Sequence, residues 1–342
     1  MGRTAYVLMI TVLCMTSLFS QDSDGKGTFS GYMFGDYYYI LKNHDSDLKD
    51  QRGFWFRRIY LTYDNEMSDR FSTRLRLEMS NEGDFTTGLA MFPFVKDAYL
   101  KYRIEKHAFL FGISQTPALS TTEKIWGYRH IEKVPLDLYR MASSRDFGLA
   151  ANGDIDREGA FKYHLMFSNG SGNKQEIDKG KSVLLSVAWS PSEELVFEGF
   201  GEYADAEGIE DAYTWRLFGS YVTESFRLGA EYASQTLKVT GEPDAKRRFL
   251  SAFVSGAVME QVDLFLRIDR MLDPNPEGSK IAFIPFDPTA KSTFILAGVE
   301  WNPVKDVFIT PNFQFVTYDQ NSDGITPNDD LYGRVTFYWK FK

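Results

Sequence analysis

Cysteine is nearly absent from the 342 residues: Cys14 is the single one, and it lies in a segment read below as cleaved. A disulfide framework, a cysteine metal site and a thiol nucleophile are thereby excluded for the mature chain. Long apolar runs are also missing; beyond the N-terminus nothing approaches the roughly 18 consecutive apolar residues of a spanning helix. Histidine is scarce, and His44, His107, His130 and His164 show no His-x-x-x-His or His/Asp spacing that would build a metal site or a proton relay. Phosphate-binding and dinucleotide fingerprints are lacking, and Gly170-Ser171-Gly172 reads as a loop. Positive charge is outnumbered, 38 Lys plus Arg against 47 Asp plus Glu, which argues against nucleic acid as a partner while leaving room for a local basic patch.

What is present is aromatic. The chain holds 29 Phe, 19 Tyr and 6 Trp at a mean hydropathy of -0.31, too much apolar material for disorder. Residues 1–20 read as an export signal: Arg3 is the lone charge, Tyr6 to Phe19 is an apolar run too short to span, and Ser20 precedes Gln21-Asp22. Cleavage would remove Arg3 and take the formal net charge from -9 to -10.

The remainder has period 2. In Phe71-Ser72-Thr73-Arg74-Leu75-Arg76-Leu77-Glu78-Met79 the apolar side chains fall on one face and the charged ones on the other. About sixteen such segments follow, near 28–40, 53–64, 70–80, 94–103, 108–114, 146–154, 159–168, 182–190, 194–204, 211–222, 225–235, 247–259, 261–271, 292–301, 306–318 and 331–341. Their connectors alternate between tight polar turns, such as Glu105-Lys106-His107, and long loops. That asymmetry, with aromatics near strand ends (Tyr37-Tyr38-Tyr39, Phe54-Trp55-Phe56, Trp189, Trp215, Tyr338-Trp339), predicts an all-β transmembrane antiparallel barrel over 21–342 rather than a soluble sandwich or propeller.

Gly53-Phe54-Trp55-Phe56-Arg57-Arg58-Ile59-Tyr60-Leu61, Lys96-Asp97-Ala98-Tyr99-Leu100-Lys101-Tyr102, Phe111-Gly112-Ile113-Ser114-Gln115-Thr116-Pro117 and Ser144-Arg145-Asp146-Phe147-Gly148 together resemble the phosphate-selective porin O/P family. The resemblance covers about a third of the chain and keeps the family's order. It implies a trimeric outer-membrane barrel of about 16 strands whose third external loop folds into the lumen. The matching connector, Gln115 to Arg145, is the longest in the sequence. Gly31, Gly35 and Gly112 offer flat positions against a neighbouring copy.

With the apolar face turned to lipid, the inward residues include Arg58, Arg74, Arg76, Glu78, Asp97, Lys101, Arg103, Lys162, His164, Glu198, Glu202, Arg216, Arg227, Glu231, Asp263, Arg267, Asp269, Glu300, Arg334 and Lys340. A charge facing hydrocarbon costs about 2 to 4 kcal/mol at mid-depth, which enforces this facing. Arg58, Arg74, Arg76, Lys101 and Arg103 form a basic wall from three consecutive strands, Glu198, Glu202 and Glu231 an acidic wall opposite, and the inner loop adds Lys124, Arg129, His130, Lys133 and Arg140. Arg57, by alternation, is expected on the opposite face near the external rim. Such a basic wall lowers the barrier for anions; the bland reading is a wet lining whose charges pair with one another.

Asp319-Gln320-Asn321-Ser322-Asp323-Gly324 with Asp330 matches the start of a calcium loop, its ligands Asp319, Asn321, Asp323 and Asp330; an ordinary Asp/Asn/Gly turn is the commoner source of this pattern. His164 and Ser168 share an inward face, and a pore-lining histidine explains that better than hydrolysis. The expectation is a porin, not an enzyme, in the outer membrane of a Gram-negative-type bacterium, a cofactor-free homotrimer among outer-membrane lipid and lipopolysaccharide, passing small hydrophilic solutes with a preference for anions such as phosphate. The runner-up is a structural or adhesive barrel with a closed lumen.

Overall fold

The computed structural model describes residues 26–88, 90–177, 179–205, 210–239, 241 and 243–342; residues 1–20, read above as an export signal, lie outside the described residues. Sixteen antiparallel strands close into one barrel. They are β1 (Lys26–Lys42), β2 (Arg52–Glu66), β3 (Phe71–Ser80), β4 (Phe92–Ile104), β5 (His107–Gln115), β6 (Arg145–Asp154), β7 (Phe161–Ser168), β8 (Ser182–Trp189), β9 (Leu195–Ala204), β10 (Glu210–Val222), β11 (Phe226–Val239), β12 (Ala245–Met259), β13 (Val262–Met271), β14 (Ser292–Val304), β15 (Val307–Tyr318) and β16 (Asp330–Phe341). Each strand pairs with its sequence neighbour, and β1 closes on β16 from Gly31↔Phe341 to Lys42↔Leu331. Closure leaves no edge and disposes of the sandwich alternative.

Alternation works inside out. On β10 Arg216 is fully buried while its neighbour Leu217 is 60 % exposed, and Leu250, Leu264, Leu266 and Ile268 are likewise exposed on the outer wall. An apolar exterior over a buried polar interior is stable when hydrocarbon surrounds the wall. Gly31 and Gly35 are filled from within the chain: a Cβ there would strike the Phe341 and Phe337 rings and the carbonyl oxygens of Tyr60 and Trp55. The rings of β16 therefore lie over both glycines. Gly112 has φ +128° and sits against the Ala98 carbonyl, so backbone contact explains that glycine as well.

Two of the register shifts along the described strands fall at charged residues. Phe34 pairs with Arg58 but Gly35 with Phe56, leaving Arg57 as an extra residue on β2; Arg76 pairs with Asp97 but Leu77 with Val95, leaving Lys96 extra on β4. A bulge lets two successive side chains face one way. Arg57 and Arg58 both turn inward, which corrects the outward placement expected for Arg57: it is 3 % exposed and pairs with Asp36 at 3.0 Å.

Two external loops enter the lumen. The segment between β5 and β6 carries two short helices, α1 (Ser120–Trp126) and α2 (Pro135–Leu138). Helix α1 ends at Gly127, whose φ of +75° favours glycine and against which the Arg227 guanidinium lies. The second infolded segment, 272–291, was not anticipated. Its Ile281, Ile284 and Phe286 join Trp126, Ile131, Leu136 and Tyr139 of the first, and Phe249, Phe265, Phe294 and Leu296 of the wall, in one buried apolar cluster. Part of the barrel interior is thus a packed core.

Candidate pore and its charged lining

The first loop is held by arginines that donate to its backbone. Arg216 donates to Ala118 O, Arg227 to Ile125 O at 3.3 Å, Arg267 to Lys133 O, and Arg247 to Arg140 O at 3.4 Å. From the other side Arg57 donates to Ile131 O at 2.9 Å and to His130 O. A planar guanidinium satisfies carbonyls that a short-helix loop leaves unpaired. His130 Nε2 meets Glu300 Oε2 at 2.6 Å, with its ring stacked on Tyr338. Arg334 does for the second loop what Arg216 does for the first, donating to Phe283 O.

Of the five residues expected to form a basic wall, Arg58, Arg74 and Arg76 are paired with carboxylates. Glu78 takes Arg58 at 3.1 Å and Lys96 at 3.0 Å. Asp97 takes Arg76 at 3.3 Å and also Arg145, and Arg74 pairs with Asp64 at 2.7 Å. Lys101 is half-buried and Arg103 exposed near the opposite strand ends, without an ion pair among the described residues. On the loop, Arg129 pairs with Glu123 and Asp137 at 3.2 and 3.3 Å, Lys133 with Asp137 at 3.6 Å, and Arg140 with Glu277 at 3.2 Å; Lys124 is exposed. Burial works against the Asp137 carboxylate, but Lys133 and Arg129 outweigh it and hold its pKa at about 2. Burial pulls the Lys133 ammonium down despite that partner.

The acidic wall is not a free surface. Arg216 lies between Glu198 and Glu231, bonded to the first and 3.7 Å from the second, and Glu198 also accepts from Thr121 at 2.6 Å. Both carboxylates serve to seat the inner loop. Glu202 alone of the three stays without an ion pair or hydrogen bond among the described residues, half-buried at the lumen.

The calcium set is not assembled. Asp319 is tied to Arg270, and the Asn321 side chain accepts from the Asp323 and Ile325 amides at 3.0 Å as an Asx turn does. Asp330 opens β16 facing inward, where it accepts from His44 N at 2.6 Å and from the Tyr318 hydroxyl. Among the described residues no group of three or more His, Asp or Glu is placed to hold a metal. Burial disfavours the His44 cation, yet the bond and charge of Asp330 raise its pKa overall.

Two cavities lie beside the inner loop. The outer one, about 520 Å³, is lined by Arg58, Lys96, Arg129, Lys133 and Arg140 with Glu78, Asp137 and Glu202. The inner one, about 240 Å³, is lined by Arg74, Arg76 and Arg145 with Asp97 and His164. Eight cations thus face four carboxylates along this side of the lumen. Strict alternation turns Lys96 outward, and only the bulge admits it; Arg145 is the first residue of β6, ahead of the alternating segment near 146–154.

A scan against protein-family models finds no match, and no curated protein matches, so the narrower resemblance to the O/P family gains no support from either. Solved structures do match in fold. An anion-selective porin from Comamonas acidovorans aligns at 14% identity over 93% of this chain and 100% of that one, with a TM-score of 0.66. The outer membrane channel DcaP of Acinetobacter baumannii gives 14%, 94%, 99% and 0.65. OmpF of Salmonella typhi gives 11%, 92%, 97% and 0.65. The chain has the closed 16-strand fold of outer-membrane porins.

Proposed function

We propose that this chain is an outer-membrane porin, exported by its N-terminal segment, that passes small hydrophilic solutes with a preference for anions and needs no cofactor or catalytic group. The observation that carries this is the excess of cations over carboxylates in the two cavities beside the inner loop. In a narrow, partly low-dielectric passage, fixed charges separated by less than the ~8 Å screening length at physiological salt act together on a passing ion. Glu78, Asp97 and Asp137 are each shared by two cations; Asp64, Glu123 and Glu277, which pair with Arg74, Arg129 and Arg140 from beyond the cavity linings, reduce the surplus without reversing its sign. Phosphate is one solute of suitable charge. The anion-selective porin and DcaP, both similar in fold, are a porin and a channel by their titles, and one solved form of Vibrio cholerae OmpT is a trimer; a homotrimer in contact with lipopolysaccharide is the corresponding reading here.

The packed core favours a second reading, a barrel whose lumen is closed and whose loops serve an external ligand. Reconstitution into planar bilayers separates the two. Ohmic single-channel openings, with a reversal potential in a potassium chloride gradient displaced toward chloride, are expected. A folded, heat-modifiable barrel that never opens would sink the porin reading, and a reversal potential at zero would remove the anion preference.

A further inference from the structure

Glu202 stands apart from every other carboxylate facing the outer cavity. Glu78 and Asp137 are each neutralised by two cations, whereas Glu202, on β9, faces the same space with no partner among the described residues. The residues bordering it in that cavity, Ala204, Ala212 and Gln235, bring no positive charge. A half-buried carboxylate without a partner keeps part of its charge poorly solvated, and a cation brought by a solute offsets that cost. The same cavity holds Arg58, Lys96 and Lys133, contributed by β2, β4 and the inner loop. Its volume of about 520 Å³ is in the range of small-molecule sites.

We infer that the outer cavity binds zwitterionic solutes whose ammonium and carboxylate groups are several bonds apart, the ammonium on Glu202 and the carboxylate on the cationic side. The inference rests on reading this cavity as the route for solutes and sharpens it: a simple anion uses one side of the cavity, a zwitterion uses both. Glu202 is then a specificity determinant, and a solute lacking the ammonium leaves it unsatisfied.

Calorimetric titration of the detergent-folded barrel with 6-aminohexanoate, and with hexanoate as the matched anion lacking the ammonium, tests this. The zwitterion should bind about fivefold more tightly than hexanoate, and Glu202→Gln should remove that advantage by weakening the zwitterion, while hexanoate, which no longer meets a like charge in the cavity, should bind at least as well as before. Equal binding of the two probes by the unaltered protein would overturn the inference without any variant being needed, as would an advantage that survives in E202Q. Heat of binding needs no open pore, so the two proposals fail separately. A conducting barrel without the zwitterion advantage loses this inference alone, and a silent barrel that keeps the advantage loses the channel reading alone.

Discussion

The arginines of the lumen do two different jobs in two regions of the wall. On β10 to β13 and β16, Arg216, Arg227, Arg247, Arg267 and Arg334 donate to backbone carbonyls of the infolded loops. On β2 to β6, Arg58, Arg74, Arg76 and Arg145 pair with carboxylates of the wall itself and border the cavities. The first set builds a plug and the second lines what the plug leaves open. Charge of one sign facing one lumen therefore has no single role; the role depends on whether a loop carbonyl or open space lies opposite.

The sharpest way to break that division is at Arg216. It is fully buried, and Arg216→Met would leave Glu198 and Glu231 without an ion pair among the described residues and remove the donor to Ala118 O. Losing one partner of a buried pair costs about 3 to 5 kcal/mol. The temperature at which the barrel loses its fast unboiled gel mobility should fall by more than for any single change on β3 or β4. An unchanged temperature would mean that the plug is not held from this side.

Arg57 tests whether the division follows the strand or the contact. It belongs to β2 yet donates to Ile131 O and His130 O, as the far-wall arginines do. Hydrogen bonds to a charged group are worth about 1.5 to 3 kcal/mol. Arg57→Ala should lower the same melting temperature measurably, while Arg103→Ala, exposed and unpaired, should not. Equal melting of the two variants would return Arg57 to the peripheral role that alternation gave it.

That reversal marks how far the sequence could be read. All sixteen strands were legible, because a wall between lipid and lumen forces period 2 wherever it spans. The bulges were not, since an extra residue changes no composition, but they left a trace. Arg57-Arg58 and Lys96-Asp97 are adjacent charges within spanning strands, and strict alternation would send one of each pair into hydrocarbon at about 2 to 4 kcal/mol. Arg247-Arg248 warns against a simple rule: there the second arginine does face out, at the rim, where Asp273 pairs with it at 2.8 Å. The second infolded loop also had a signal, the run Ile281-Ala282-Phe283-Ile284-Pro285-Phe286, too apolar for an external loop in water. The pairing of Glu198 and Glu231 with Arg216 was not legible, because register across three strands is a tertiary fact.

The cavity-lining set is expected to govern selectivity rather than stability. Replacing Arg74, Arg76 and Lys101 together by Glu reverses two of the eight cavity cations, which by itself cancels an excess of four charges, and adds a third reversal beyond the inner cavity. The reversal potential in a salt gradient should move toward cations, most strongly at low ionic strength. No movement would mean that ions pass elsewhere than along β3 and β4, and the anion proposal would fall with it.

The smallest expected effect concerns pH and falls on the plug side alone. Burial lowers the pKa of His130; the bond and charge of Glu300 work against this, Arg57 and Lys340 work with it, and the net direction is down. A plugged state with a lowered histidine pKa binds fewer protons than a state with the loop released, so the plug is fully favoured above the ordinary histidine value of about 6.5 and loses ground as pH falls below it. His44 has the opposite sign, but it pins the first external loop to β16 and lies away from Trp126. Trp126 is 1 % exposed in the packed core, and with Trp55, Trp189, Trp215, Trp301 and Trp339 replaced by Phe its fluorescence reports on the plug specifically. Emission should shift toward that of a water-exposed indole between pH 7.5 and 5, and His130→Gln, which keeps a donor for Glu300 but does not titrate, should flatten the response. A shift of equal size in H130Q would assign the acid sensitivity to another group; a red shift on raising the pH instead would reverse the sign argued for His130.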